Sequence, residues 1–160
     1  MKQIPLTKGQ FAIVDDEDYE RLMAMGKWKV SKLGYAEKCK WINEGGKKRC
    51  IMLRMHRIVM NCPDDKFVDH KFGNTLDNRK SHLRICTKQQ NNMNCAARKN
   101  NTSGFKGVEV TGNKWKASIR FNRKRIALGV FLSALDAARA YNAAAINYFG
   151  EFANLNEIPV

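Results

Sequence analysis

Residues 88–103, "KQQNNMNCAARKNNTS", are polar, basic and crowded with asparagine, and the hydrophobic pattern changes across them. A stretch of this composition offers no continuous apolar face to bury, so it reads as a connection that divides the chain. In 160 residues that division leaves two small domains, each with a modest core. The expected boundaries are 1–95 for the first domain, 96–102 for a linker and 103–160 for the second.

Beyond the division, "FKGVEV", "KWKASIRF" and "RIALGVF" alternate with period two and are separated by "TGN" and "NRK", the pattern of an antiparallel meander. "SALDAARAYNAAAINYFG" then carries a helix signature: Ser133 can cap, Asp136 follows three residues later, and Gly150 suits the stop. Leu135, Ala138, Tyr141, Ala145 and Tyr148 or Phe149 share one stripe, and the alanines allow close approach to a sheet. Alternation turns Trp115, Ala117, Ile119 and Phe121, with Ile126, Leu128 and Val130, toward that helix. Lys116, Ser118, Arg120, Arg125 and Ala127 are left on an outer, basic face. A basic ribbon of this kind can enter the major groove, where Arg pairs with guanine and Lys meets phosphate.

Before the division the chain reads as short strands and turns. "QFAIVDDEDYERLMAM" gives a brief apolar run, a cap at Asp15 or Asp16 and a helix through Tyr19, Leu22 and Met23. Trp28, Val30, Tyr35 and Trp41 lie in extended-type segments, with Gly45-Gly46 as a hairpin turn. "MHRIVM" starts a short helix that stops near Pro63. "KFVDHKFGNTLDNRKSHLRICT" reads as strand, turn at Gly73-Asn74, and a helix opening near Asp77 or Asn78.

Charge narrows the partners. Twenty-nine Lys and Arg against fifteen Asp and Glu give a net +14, a self-repulsion that a polyanion relieves. The excess falls in both halves, 19 basic against 11 acidic residues in 1–92 and 10 against 4 in 93–160. No apolar run is long enough for a membrane span, and "MKQIPLTKGQ" has no signal-peptide core, so the cytoplasm is the expected compartment. The five cysteines are odd in number and form no C-x-x-C, which argues for reduced side chains over a disulfide framework or a zinc ribbon.

"VDHK" at 68–71 carries the chemistry. Phosphodiester hydrolysis needs a base to take a proton from water and a cation to offset charge on the phosphate and leaving oxygen. His70 has the pKa for the first task. Asp69 offers the hard oxygen that Mg²⁺ or Mn²⁺ prefers, and an Asn amide would add a second.

"MHR" at 55–57, "VDH" at 68–70, "GN" at 73–74, "DNR" at 77–79, "HLRICT" at 82–87 and Asn91 together resemble the HNH endonucleases, in particular the phage and intron-encoded homing branch. The resemblance implies a ββα-metal (His-Me finger) nuclease fold, His70 as general base, and Asp69 with Asn91 as ligands of one divalent metal, Mg²⁺ or Mn²⁺. His82 stands where the family usually has the central Asn that braces the loop between the strands. His56 and Arg57 match a pair near the site, with Arg57 placed to hold the scissile phosphate.

Residues 103–156 resemble the ethylene-response-factor (apetala-type) DNA-binding domain, sharing "GV", "W.A.IR", "LG.F" and "A..AARAY..AA...FG..A.LN". That resemblance sets Lys106, Arg120 and Arg125 as DNA contacts and Tyr141 against phosphate; Lys116 and Arg123 complete the expected set. Glu109 stands where Arg is common and Ala127 where Trp is common, so sequence preference should differ. The expected fold is α+β, a ββα-metal nuclease domain followed by a three-stranded antiparallel sheet packed on one helix. The expected function is a metal-dependent homing-type endonuclease on double-stranded DNA, monomeric, without a small-molecule cofactor, in the bacterial host of a phage or mobile element. A non-catalytic DNA-binding regulator with the nuclease fold, and a ribonuclease or RNA-binding module, are the other readings.

Overall fold

Residues 1–97 and 101–159 are described by the computed structural model, and the chain divides into Met1–Asn91 and Asn92–Val160. The expected linker, 96–102, includes residues 98–100, which lie outside the described residues.

The first unit opens with an antiparallel pair, β1 (Lys2–Pro5) and β2 (Phe11–Val14), whose alternation sends Ile4, Ala12 and Val14 inward. Helix α1 (Asp16–Ala24) starts at the acidic run, where carboxylates suit the positive end of the helix dipole. Asp15 sits at the cap position with extended backbone but makes no cap bond; its Oδ2 accepts the Lys80 backbone N–H at 2.8 Å. Trp28 closes this side of the core and satisfies its ring N–H on the Leu22 carbonyl at 2.9 Å.

β3 (Lys29–Val30), β4 (Ala36–Glu44) and β5 (Lys47–Arg54) form an antiparallel sheet that turns at Gly45 and Gly46, both at positive φ. That turn pairs Cys39 with Met52 and Trp41 with Cys50, which makes the two cysteines diagonal neighbours. They are joined by a disulfide with Cα atoms 5.8 Å apart, so the expectation of five reduced cysteines is corrected for these two.

Helix α2 (Met55–Val59) follows, and then the ribbon β6 (Phe67–His70) with β7 (Leu83–Cys86). The helix expected to open near Asp77 or Asn78 does not form. Residues there bond outward instead: Ile13 N–H donates to the Leu76 carbonyl at 2.9 Å and Asn78 N–H to the Ile13 carbonyl at 2.7 Å. Thr75 Oγ1 donates to the Gly34 carbonyl at 2.8 Å. With those groups committed no helical ladder can close, and the chain passes through one 3-10 turn, Lys80–His82, into a strand. Helix α3 (Lys88–Met93) begins only after Thr87, whose Oγ1 accepts the Gln90 N–H at 3.2 Å.

In the second unit β8 (Val108–Thr111), β9 (Lys114–Phe121) and β10 (Lys124–Phe131) form an antiparallel sheet in chain order, covered by α4 (Ala134–Phe149). Ser133 Oγ accepts the Leu135 N–H, and Gly150 ends the helix at φ 53°. Ala117 and Ile119 meet Ala137, Ala138, Tyr141, Ala145 and Phe149 in the core. Gly107 admits the Tyr141 ring: a Cβ there would lie 2.1 Å from Tyr141 Cδ2. Val130, expected to face inward, is 55% exposed, because an irregularity between Ala127 and Gly129 shifts the alternation and turns Phe131 in.

Candidate active site

Side chains alternate along β6, so Asp69 and His70 leave opposite faces of the ribbon. His70 is 6% exposed and meets His56 edge to face, ring centroids 5.1 Å apart. Tyr35 closes the cluster at 5.2 Å from His56 and 5.8 Å from His70. Burial lowers the pKa of His70, while Asp69, the Asn78 side chain and Asp77 pull the other way. Burial also drives His56 down to about 3, helped by His70, Arg54 and Arg57. Both rings are therefore neutral near neutral pH, and a neutral imidazole can accept a proton.

On the opposite face Asp69 is paired across the strands with Arg84. Its Oδ2 accepts from Arg84 Nε at 2.8 Å and lies 2.7 Å from a terminal guanidinium nitrogen. Cys86 shares this face; burial first, then the Asp69 charge, pushes its thiol up to about 11, and a bond from the Asn91 backbone acts against them. Cys86 thus links α3, which carries Asn91, to the Asp69 side of the ribbon. A thiol held protonated is no metal donor, and among the described residues no three His, Cys, Asp or Glu side chains gather as a metal cluster. The two ligands expected from the sequence, the Asp69 carboxylate and the Asn91 amide, are hard oxygens. They fit a cation that keeps most of its waters, not zinc.

Asn78 is fully buried between the loop and β2. Its amide donates to the Leu76 carbonyl at 3.0 Å, and its carboxamide faces the His70 ring, where the contact favours the protonated form. Asn78 is thus tied both within the loop and to β2, through its side chain to Leu76 and its backbone to Ile13. His82 stands on the outer side of the loop against Phe72, Ser81, Arg79 and Asp77. Arg57 donates from its guanidinium to the carbonyls of Lys66, Cys62 and Pro63, which ties down the turn before β6. The exposed cation near the rings is Arg54, whose guanidinium lies 5.4 Å from the Tyr35 centroid. Nothing local marks Arg54 or Tyr35 in the sequence; Asn78 in "DNR" and Arg84 in "HLRICT" lie inside motifs that gave them no role.

In the second unit Arg120 and Arg123 are exposed and Lys116 is half-buried on the sheet. Arg125 is engaged on the same surface, donating from Nε to Ser118 Oγ at 3.0 Å and from a terminal nitrogen to Glu109 at 2.6 Å. Lys106 is half-buried with Nζ on the Met93 carbonyl at 2.7 Å, and burial lowers its pKa. Tyr141 is 3% exposed, with its hydroxyl raised to about 12 by burial, because the helical stripe faces it into the core.

A family model described as HNH endonuclease matches residues 61–93, the span from the end of α2 through β6, β7 and α3. An uncharacterized HNH endonuclease of Acanthamoeba polyphaga mimivirus is 33% identical over 158 residues, covering 94% of this chain and 77% of that protein. Coverage of that extent takes in both units. No helix among the described residues is long and apolar enough to cross a membrane.

Proposed function

The chain belongs to the HNH endonuclease family, and on that premise we propose that it is a metal-dependent endonuclease of the homing type that hydrolyses phosphodiester bonds in duplex DNA. The observation that carries the reading is His70: an imidazole kept neutral by burial and set among His56, Tyr35 and Asn78, at the end of a strand whose preceding residue is a carboxylate. His70 takes the proton of the attacking water. His56 and Tyr35 exclude bulk water from its inner side and fix the plane of its ring. Arg54, exposed beside Tyr35, is placed to meet a phosphate. Asp69 and Asn91 would hold one divalent cation, Mg²⁺ or Mn²⁺, which when bound supplies charge to offset that developing on the phosphate and the departing 3′ oxygen. The products are then a 3′-hydroxyl and a 5′-phosphate.

In this reading the ββα-metal unit cuts, and the second unit, of the apetala type, targets it through Lys116, Arg120, Arg123 and Arg125. The protein works as a monomer on DNA in the cytoplasm of the host of a phage or mobile element. The +14 charge, present in both halves, supports the polyanion partner.

One observation favours a second reading, a non-catalytic DNA-binding regulator: Arg84 already neutralises Asp69. Supercoiled plasmid separates the two. With Mg²⁺ or Mn²⁺ the protein should nick it and His70→Ala should not; equal nicking by both proteins, or none under either metal, rules the nuclease out.

A further inference from the structure

Phe72 stands two residues beyond His70 with 74% of its surface exposed, more than any other aromatic side chain among the described residues. Single exposed apolar residues are ordinary. This one is backed by a built support.

His82 meets the Phe72 ring edge to face, centroids 5.0 Å apart at 67°. His82 is fixed in turn. Arg79 has only donors to offer, so it donates to His82 Nε2 at 3.1 Å, and the Nδ1–H is left to donate to Ser81 Oγ at 3.0 Å. Arg79 is clamped by both oxygens of Asp77, at 2.9 and 2.5 Å. Lys71, the residue before Phe72, donates from its backbone N–H to the His82 carbonyl and from Nζ to the Ser81 carbonyl, each at 2.9 Å. Several polar side chains thus hold one flat ring in water beside the candidate base. An apolar face kept in water is unfavourable until another flat surface covers it.

We propose that Phe72, supported by His82, is a base-stacking platform that receives the face of a nucleobase next to the scissile phosphate. This rests on the nuclease reading of the His70 site. The occupant follows from position and charge: Phe72 lies in the turn that His70 opens, with the Gly73 N–H donating to the His70 carbonyl at 3.0 Å, and Lys71 beside it in the chain adds a cation suited to phosphate. Aromatic wedges open base steps, and stacking on an aromatic ring tolerates any sequence. His82 also acquires a reason. An Asn at that position has no ring to set against Phe72, and the bracing that Asn would perform is carried by Asn78.

The test uses the full chain carrying Phe72→Trp, with metal chelated so that nothing is cut. A short mixed-sequence duplex with a single-nucleotide gap is added, and binding is followed by the anisotropy of a dye on the duplex. The tryptophan emission added at position 72, taken as the difference from the unmodified chain, should fall by about half or more at saturation. Phe72→Ala should weaken binding to the gapped duplex about tenfold, and to the intact duplex less, since an intact stack offers no free base face. Emission unchanged at saturation, or an equal or absent loss with Phe72→Ala, overturns the platform. Neither measurement needs cleavage, so a failed plasmid assay with stacking retained sinks the nuclease reading and leaves Phe72 as a stacking platform on DNA that is not cut. A chain that binds neither duplex overturns both.

Discussion

His56 and His70 meet edge to face, 5.1 Å between ring centroids, and burial lowers the pKa of each. Only the unprotonated His70 can take a proton from water. Nicking should therefore rise with pH and level off with a midpoint below the ordinary histidine value of 6.5. Tyr35→Ala opens the cluster to water and should move the midpoint upward. A rate-against-pH profile whose midpoint lies above 6.5 in the unmodified chain contradicts this.

The same burial makes the fold sensitive to acid. A histidine whose folded pKa lies below its unfolded value leaves the unfolded chain binding more protons, so stability present above about 6.5 is lost as pH falls. For His56 the loss continues toward about 3. Between pH 7 and pH 4.5 one such group removes roughly 3 kcal/mol. His56→Phe should flatten the dependence of the urea midpoint on pH over that window; an unchanged slope would place the acid sensitivity elsewhere.

Asp69 and Arg84 form a buried pair, and breaking one side of such a pair leaves the other charge stranded. Asp69→Ala should cost about 3 kcal/mol in chemical denaturation. Adding Arg84→Met should recover most of that stability but no nicking, because the oxygen donor is still missing. Recovery of activity in the double variant would show that Asp69 serves only the pair.

Asn78 and His82 offer a direct comparison. Asn78→Ala removes a fully buried amide that bonds Leu76 and faces His70, and should cost about 2 kcal/mol. His82→Asn, on the outer side of the loop, should cost under about 1 kcal/mol. Unfolding midpoints in the reverse order would return the brace to His82.

In the second unit Glu109 accepts from Arg125 at 2.6 Å and so occupies a cation on the outer sheet face. Glu109→Ala frees that guanidinium and removes an anion. Binding to duplex DNA should tighten, and the slope of log affinity against log salt should steepen by about one unit. Arg120→Ala should flatten it by about one. Slopes unmoved by either change would take this face out of the DNA contact.

What could be read before folding was local. Asp69 and His70 are adjacent and lie inside a motif with ordered neighbours, so their chemistry is visible in a short window. The stripe of α4 and the three runs of β8, β9 and β10 repeat with fixed periods, which is why the core position of Tyr141 was readable from spacing even while a resemblance set it against phosphate. Partners far away in sequence were not readable. Asn78 acts as it does because the β2 backbone at Ile13 holds it there, and Asp15 fails to cap α1 because Lys80 takes its oxygen. The helix expected near Asp77 or Asn78 fails because Ile13 and Gly34, far away in sequence, take up hydrogen-bonding groups of residues 75, 76 and 78. Val130 was misplaced by an irregularity that simple alternation does not encode, with Gly129 at φ 137° as its one trace.

The tie between Ile13 and residues 76–78 bears on what counts as the smallest working nuclease. The family pattern occupies 61–93, yet the loop inside it is splinted by Ile13, Asp15 and Gly34, and its histidine leans on Tyr35 and His56. A peptide of the motif alone, or the motif grafted into another host, would carry the reactive side chains without the scaffold that keeps them dry and aimed. The portable part of this chain therefore begins at β1 and not at residue 61.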